Sequence, residues 1–174
     1  MSSLAPKTRI KMGLSDTEIK YIAGSYQLTY DEVLDQVQEL LNDILYNTTI
    51  ELMEWIKTKV PKRTGQLRDN LLANLRSSIV QKGLMRIILG TNIEYAKFVT
   101  DMSTSQVAHS GEIGYAYYYG NYGRITLNDP EAIGHFFREL IFYAKERVQI
   151  NLAKAKAKYF GYGSYSTKIK RAIG

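Results

Sequence analysis

From Val33 to Ile56 apolar residues recur at three- and four-residue spacing, and no other stretch restricts the fold as strongly. Val33, Val37, Leu40, Leu41, Ile44, Leu45, Leu52, Trp55 and Ile56 fall on one face of an amphipathic helix. Thr29-Tyr30-Asp31-Glu32 has the form of a capping box, so the helix is expected to begin there. About 30 residues at 1.5 Å each makes a rod of roughly 45 Å, long for a small domain. Asp31, Glu32 and Asp35 lie in its first turns and Lys57 and Lys59 in its last, the placements the helix dipole favours. Val60-Pro61-Lys62-Arg63-Thr64-Gly65-Gln66-Leu67-Arg68 ends it. Proline lacks the N–H that a continuing helix requires, and Gly65 allows the chain to turn. Thr64 is the expected N-cap of a shorter helix carrying Leu67, Leu71, Leu72 and Leu75.

The period then changes. Residues 78–83 and 85–90 are short β-branched runs flanking Lys82-Gly83, which predicts a hairpin or a pair of short strands. Asn92 to Val99 follows as a helical or extended segment with Tyr95, Phe98 and Val99 on its buried side. Five tyrosines, Tyr115, Tyr117, Tyr118, Tyr119 and Tyr122, crowd a loop with an embedded hairpin. Its arms are expected at residues 115–119 and 124–127, with Gly120-Asn121-Tyr122-Gly123 as the turn. Tyrosine combines large contact area with low entropy cost, so these residues make an interaction surface or else complete the sheet. Asp129-Pro130-Glu131 starts a last helix, with Asp129 as N-cap. Ile133, Phe136, Phe137, Leu140, Ile141, Ala144, Val148 and Leu152 form its apolar face as far as about Lys158. Residues 1–28 read as an arm with one or two turns of helix, 29–158 as the core, and 159–174 as a basic aromatic tail, together a single domain over 1–174.

Charge is distributed unevenly: residues 29–60 carry seven acids against two bases, whereas 61–100 carry seven bases against two acids and 129–174 nine against four. Such runs are either solvated faces or surfaces for another copy or for nucleic acid. Zero cysteines exclude disulfides and thiolate metal sites. The opening residues show no apolar signal-peptide core and no run is long enough to cross a bilayer, so a soluble intracellular product without membrane contact is expected. The only histidines, His109 and His135, sit in no catalytic or metal-binding motif. The carboxylates of the first helix read as a solvated polar face, not as a metal site. Neither an enzyme nor a cofactor-binding protein is expected.

A long helix, then Pro61, Thr64, Gly65 and Leu67, two short strands, then Tyr95, Ala96 and Val99, and a closing helix make an ordered set. This order resembles the neck and tail-completion proteins of tailed bacteriophages, the family of the lambdoid tail component and minor tail protein Z. Pro-x-x-Thr-Gly-x-Leu and Tyr-Ala-x-x-Val are its recurring motifs. After Val99 this chain departs from the pattern with Thr100-Asp101-Met102-Ser103 and a longer tyrosine-rich insertion.

The resemblance implies an α+β subunit: a long N-terminal and a long C-terminal helix packed on a small, mainly antiparallel sheet, with a flexible N-terminal arm, a tyrosine-rich loop and a C-terminal tail. It implies a structural virion protein, made in the host cytoplasm, that forms a homo-oligomeric ring, hexamer or dodecamer, at the head–tail junction. Its partners would be copies of itself, other neck, connector and tail-terminator proteins, and the packaged DNA passing through the lumen. Glu51, Glu54, Tyr115, Tyr117, Tyr118, Tyr119 and Tyr122 are then candidate interface residues. Arg63, Arg68, Lys168, Lys170 and Arg171 are candidate contacts to DNA in the channel. The competing expectation is a non-specific nucleic-acid-binding module using the basic segments 61–86 and 154–171.

Overall fold

The computed structural model describes residues 6–61, 65–93, 96, 100, 113–118, 121–126 and 134–160. The fold is α+β, as expected, with helices the longest elements and a small three-stranded antiparallel sheet. In chain order the elements are β1 (Lys7–Gly13), α1 (Asp16–Tyr26), α2 (Tyr30–Lys59), α3 (Gln66–Leu75), β2 (Ile79–Gln81), β3 (Leu84–Gly90), β4 (Ile113–Tyr118), β5 (Asn121–Thr126) and α4 (Phe136–Phe160). The sheet order is β1-β3-β2, and β4 and β5 form a separate two-stranded ribbon. The chain divides into two compact units, Ile10–Thr49 with Ser78–Ile87 and Lys145–Gly174, and Met1–Arg9 with Ile50–Ser77 and Ile88–Ala144.

In the first unit the expected capping box is present: the Glu32 amide donates to the Thr29 hydroxyl at 3.1 Å and the Thr29 amide to the Glu32 carboxylate at 2.7 Å. A second box, Ser15 with Glu18, starts α1 in the same way. Residues 7–26, read from sequence as part of an arm, are therefore a strand and a three-turn helix. Ile19, Ile22 and Ala23 of α1 are buried, and β1 alternates exposed and half-buried side chains, as a strand with one covered face does. Gln27 takes a left-handed conformation that ends α1 and turns the chain into α2. The Tyr30 phenol donates to the Asp16 carboxylate. That bond, then desolvation, then the negative charges of Asp16 and Asp31 raise the phenol above its ordinary pKa. Among the described residues Val33, Val37, Leu40, Leu41, Ile44, Met85, Ile87, Val148 and Ala155 complete the buried apolar set of this unit.

The predicted hairpin is present, with Gln81 paired to Leu84 across the two-residue turn Lys82-Gly83. Both turn residues have positive φ, 50° and 75°, as a type I′ reversal requires. Glycine fits at 83 for a second reason: an added Cβ would come within 3.0 Å of Ile19 Cδ1. At Gly13 an added Cβ would stand 2.1 Å from the Gly83 carbonyl oxygen, so only glycine lets the end of β1 approach the turn. One polar pair lies within this unit's core. Asn151 Nδ2 donates to Thr48 Oγ1 at 3.0 Å, both residues being buried, and this fixes α4 against α2 at one register. By contrast, the exposed Lys158–Asp43 ion pair at 2.7 Å adds little.

In the second unit the buried apolar residues are Leu52, Ile56 and Val60 at the end of the α2 stripe, Leu67, Leu71, Leu72 and Leu75 of α3, Leu89 and Ala96, and Phe136, Leu140 and Ala144 of α4, among the described residues. Trp55 stacks on Tyr143 with ring centroids 5.9 Å apart. Three expectations are corrected here. The N-cap of α3 is Gly65, at φ 89° and with no side-chain cap, whereas Thr64 was expected to fill that position. A left-handed residue there turns the chain without a hydroxyl.

The described part of α4 begins at Phe136, after His135 at φ 51°, because a left-handed residue cannot continue a helix. Asp129 and Pro130, the expected start, lie outside the described residues. At the start of the described part of α4 the Thr100 hydroxyl accepts from the Phe137 amide at 3.3 Å, a long-range cap. In the tyrosine-rich ribbon Tyr118 pairs with Asn121, so Asn121, Tyr122 and Gly123 belong to a strand, not to the expected turn.

Thr48→Val keeps the shape of the side chain but removes the acceptor from the Asn151 amide. Urea denaturation of this variant should show a loss of about 1–3 kcal/mol with the slope unchanged.

Candidate assembly surfaces

The junction between α2 and α3 is built as an anchor. Val60 and Pro61 are buried, and so is Leu67 at the start of α3. Arg68, a residue the sequence reading assigned to a DNA channel, donates from Nε to the Val60 carbonyl at 2.7 Å. A cation on the final carbonyl of a helix satisfies a group that has no partner within the helix and opposes the negative end of its dipole. Arg68 therefore holds α3 to the end of α2. Arg63 and Thr64 lie outside the described residues.

A second anchor, invisible in the hydrophobic pattern, ties α3 to the exit of β3. Asn70 Oδ1 accepts from the Thr91 hydroxyl at 2.7 Å and from the Asn92 amide at 2.8 Å, while Asn74 Nδ2 donates to the Gly90 carbonyl at 2.9 Å. Thr91 is buried; its hydroxyl also accepts from the Ile93 amide, and its own amide donates to the Pro6 carbonyl. The chain leaving β3 is thereby held down just before Ala96, which is buried and donates its amide to the Ile93 carbonyl. Of the residues matched to the two motifs, Pro61, Gly65, Leu67 and Ala96 thus occupy structural positions. Tyr95 and Val99 lie outside the described residues. Asn70 and Asn74 are one helical turn apart, and that spacing was the only local hint of their role.

The exposed surfaces are more distinctive than any pocket. On α2, Asp31, Glu32, Asp35 and Glu39 are exposed near the amino end, followed by the exposed apolar residues Tyr46 and Ile50. Glu54 is exposed, whereas Glu51 is half-buried and already engaged. Opposite charge lies on the sheet. Lys7, Arg9 and Lys11 alternate on the exposed side of β1, and Arg86 is exposed on β3. The Lys-x-Arg-x-Lys alternation of β1 is a strand signal legible in the sequence.

In the ribbon Tyr115 pairs with Arg124 and Tyr117 with Tyr122. Tyr119 and the tail residues Lys168, Lys170 and Arg171 lie outside the described residues. Among the described residues no group of three or more His, Asp or Glu side chains is placed to hold a metal ion, and no helix is long and apolar enough to cross a membrane. Comparison with protein-family models, with curated proteins and with solved structures finds no match.

Asn70→Ala removes the acceptor shared by the buried Thr91 hydroxyl and the Asn92 amide. It should cost about 1–3 kcal/mol in chemical denaturation, while Asn70→Asp, which retains an acceptor oxygen, should retain most of that stability.

Proposed function

We propose that this chain is a structural virion protein of a tailed bacteriophage, a neck or tail-completion subunit. Copies of it form a ring at the head–tail junction, hexameric or dodecameric, that joins the tail to the head connector around the DNA channel. The reading rests on the order of the two motif segments on either side of the β2–β3 hairpin. What supports it most directly is that Asn70 and Asn74 of α3 tie the segment after the first motif to the segment that opens the second. Motif residues at structural positions, with anchors between the two motif segments, are what a shared scaffold requires; the assembly surfaces then lie elsewhere.

The work of such a subunit is assembly, not catalysis. Exposed acids on α2 and exposed cations on the sheet are carried by the same chain, which suits a head-to-tail contact that closes by rotation. Aromatic residues and arginine are the types enriched in protein contacts, and the β4–β5 ribbon carries Tyr115, Tyr117, Tyr118, Tyr122 and Arg124. That ribbon is the proposed contact to a neighbouring ring. Arg63, Lys168, Lys170 and Arg171 are proposed to meet phosphate in the lumen, where cations neutralise charge without reading sequence. Arg68 has a lesser claim to that role because its Nε holds the Val60 carbonyl.

A nucleic-acid-binding module remains the second reading, favoured by exposed Arg76, Lys82 and Arg86 within segment 61–86. The two readings differ in what the monomer does. Negative-stain electron microscopy of the purified chain, alone and mixed with tails, should show rings with a central opening and their attachment to tail ends. A monomer that never joins tails or capsids, yet binds free duplex in a salt-sensitive way, would replace the first reading by the second. Glu54→Lys should lower incorporation into particles, and unchanged incorporation would remove the carboxyl-terminal part of α2 from the interface.

A further inference from the structure

We propose that the outward face of the β2–β3 hairpin docks on the amino-terminal half of α2 in a second copy of this chain. The proposal rests on the assembly reading above and names the two surfaces that meet.

The hairpin face is mixed in character. Arg86 lies directly opposite Ile79, and Leu84 opposite Gln81, while the alternate residues Met85 and Ile87 point into the core. Ile79, Gln81, Lys82, Leu84 and Arg86 line one shallow depression. Ile79 is 47% and Leu84 38% exposed, more than a strand with a covered face needs to leave open. Cations surround them: Lys82 in the turn, Arg86 beside Ile79, and Lys11 on β1, the strand next to β3. No ion pair involves Lys11, Lys82 or Arg86 among the described residues.

The α2 surface is its complement. Asp31, Asp35, Glu39, Asn42 and Tyr46 are all exposed and follow one another at three- and four-residue intervals, which sets them in one stripe along the helix. Tyr46, 67% exposed, gives the stripe an apolar contact to place against Ile79 and Leu84. Asp35 and Glu39 give it the charge to meet Lys82 and Arg86, and neither of these acids is engaged in an ion pair among the described residues. Nucleic acid would match only half of the hairpin face. Phosphate meets cations but gains nothing from two exposed aliphatic side chains, whereas an acidic stripe with an exposed tyrosine satisfies both. Because the two surfaces differ and belong to one chain, each copy presents one to each neighbour, and the contact is heterologous.

The test is sedimentation velocity over a concentration series of the full chain, at low salt and near 1 M salt, where the screening length shrinks to about 3 Å. Lys82→Glu with Arg86→Glu should weaken self-association about tenfold or more, as should Asp35→Lys with Glu39→Lys. Combining all four should restore it, since the pairing is then reversed, and circular dichroism should be unchanged throughout. Undiminished association in either double variant, no recovery in the fourfold variant, or a wild-type chain that never self-associates would overturn the docking. A monomer that binds a short DNA duplex, with binding abolished by the Lys82 and Arg86 reversals, would also overturn it and assign the face to phosphate. Rings that persist in both double variants would remove this contact while leaving the assembly reading intact, whereas failure of the wild type to join tails or capsids removes that reading itself.

Discussion

Burial of one continuous apolar stripe along α2 is the constraint on which the other elements depend. Val33, Val37, Leu40, Leu41 and Ile44 serve one compact unit and Leu52, Ile56 and Val60 the other. Each such side chain contributes roughly 1.5–3 kcal/mol when fully buried. A lone helix of this length could not keep them covered, so packing partners are required. Those partners are α1 and the hairpin in one unit and α3 in the other, with successive parts of α4 in both. The stripe stops at Pro61 because a helix cannot continue there, and Arg68 then caps the carbonyl end that the stop leaves open.

Apolar burial by itself permits slippage, and two polar ties remove it. Within one unit the buried Thr48–Asn151 pair admits a single register of α4 on α2, since a one-turn shift would strand both groups without partners. In the other, Asn70 and Asn74 hold backbone and side-chain groups from Gly90 to Asn92. Their energy is modest, but leaving such groups buried and unpaired costs more than making the bonds gains, and it is this asymmetry that specifies the structure.

With the interior satisfied, the chain still exposes Tyr46 and Ile50 on a helix, Ile79 and Leu84 on a sheet, and Tyr21 and Phe142 besides. Scattered apolar residues on a surface need no explanation. Apolar residues set among uncompensated charge of one sign on the hairpin, and of the other sign on α2, are a different matter. Among the described residues they are the two surfaces on which the proposed contact between copies is built.

Much of this was legible in the sequence, and the boundary of what was legible has a physical cause. The span of α2, its Thr29–Glu32 cap, the stop at Pro61, the leucines of α3 and the Lys82-Gly83 hairpin all follow from interactions between near neighbours, and each is present as read. The Ser15–Glu18 cap and the alternation of β1 are equally local signals, and they make the terminus a strand and a helix where an arm is expected. That Asn121, Tyr122 and Gly123 belong to a strand is not legible locally, because glycine and asparagine permit several reversals and only strand pairing chooses among them. What the residue order determined by itself was therefore the inventory of elements, the α+β class and the segregation of acid from base. Tertiary structure alone decided the sheet order β1-β3-β2, the partners of Thr48, Arg68, Asn70 and Asn151, and which charged and apolar side chains remain outside. These depend on groups brought together from distant parts of the chain, and no local pattern encodes whether a polar side chain will find its partner.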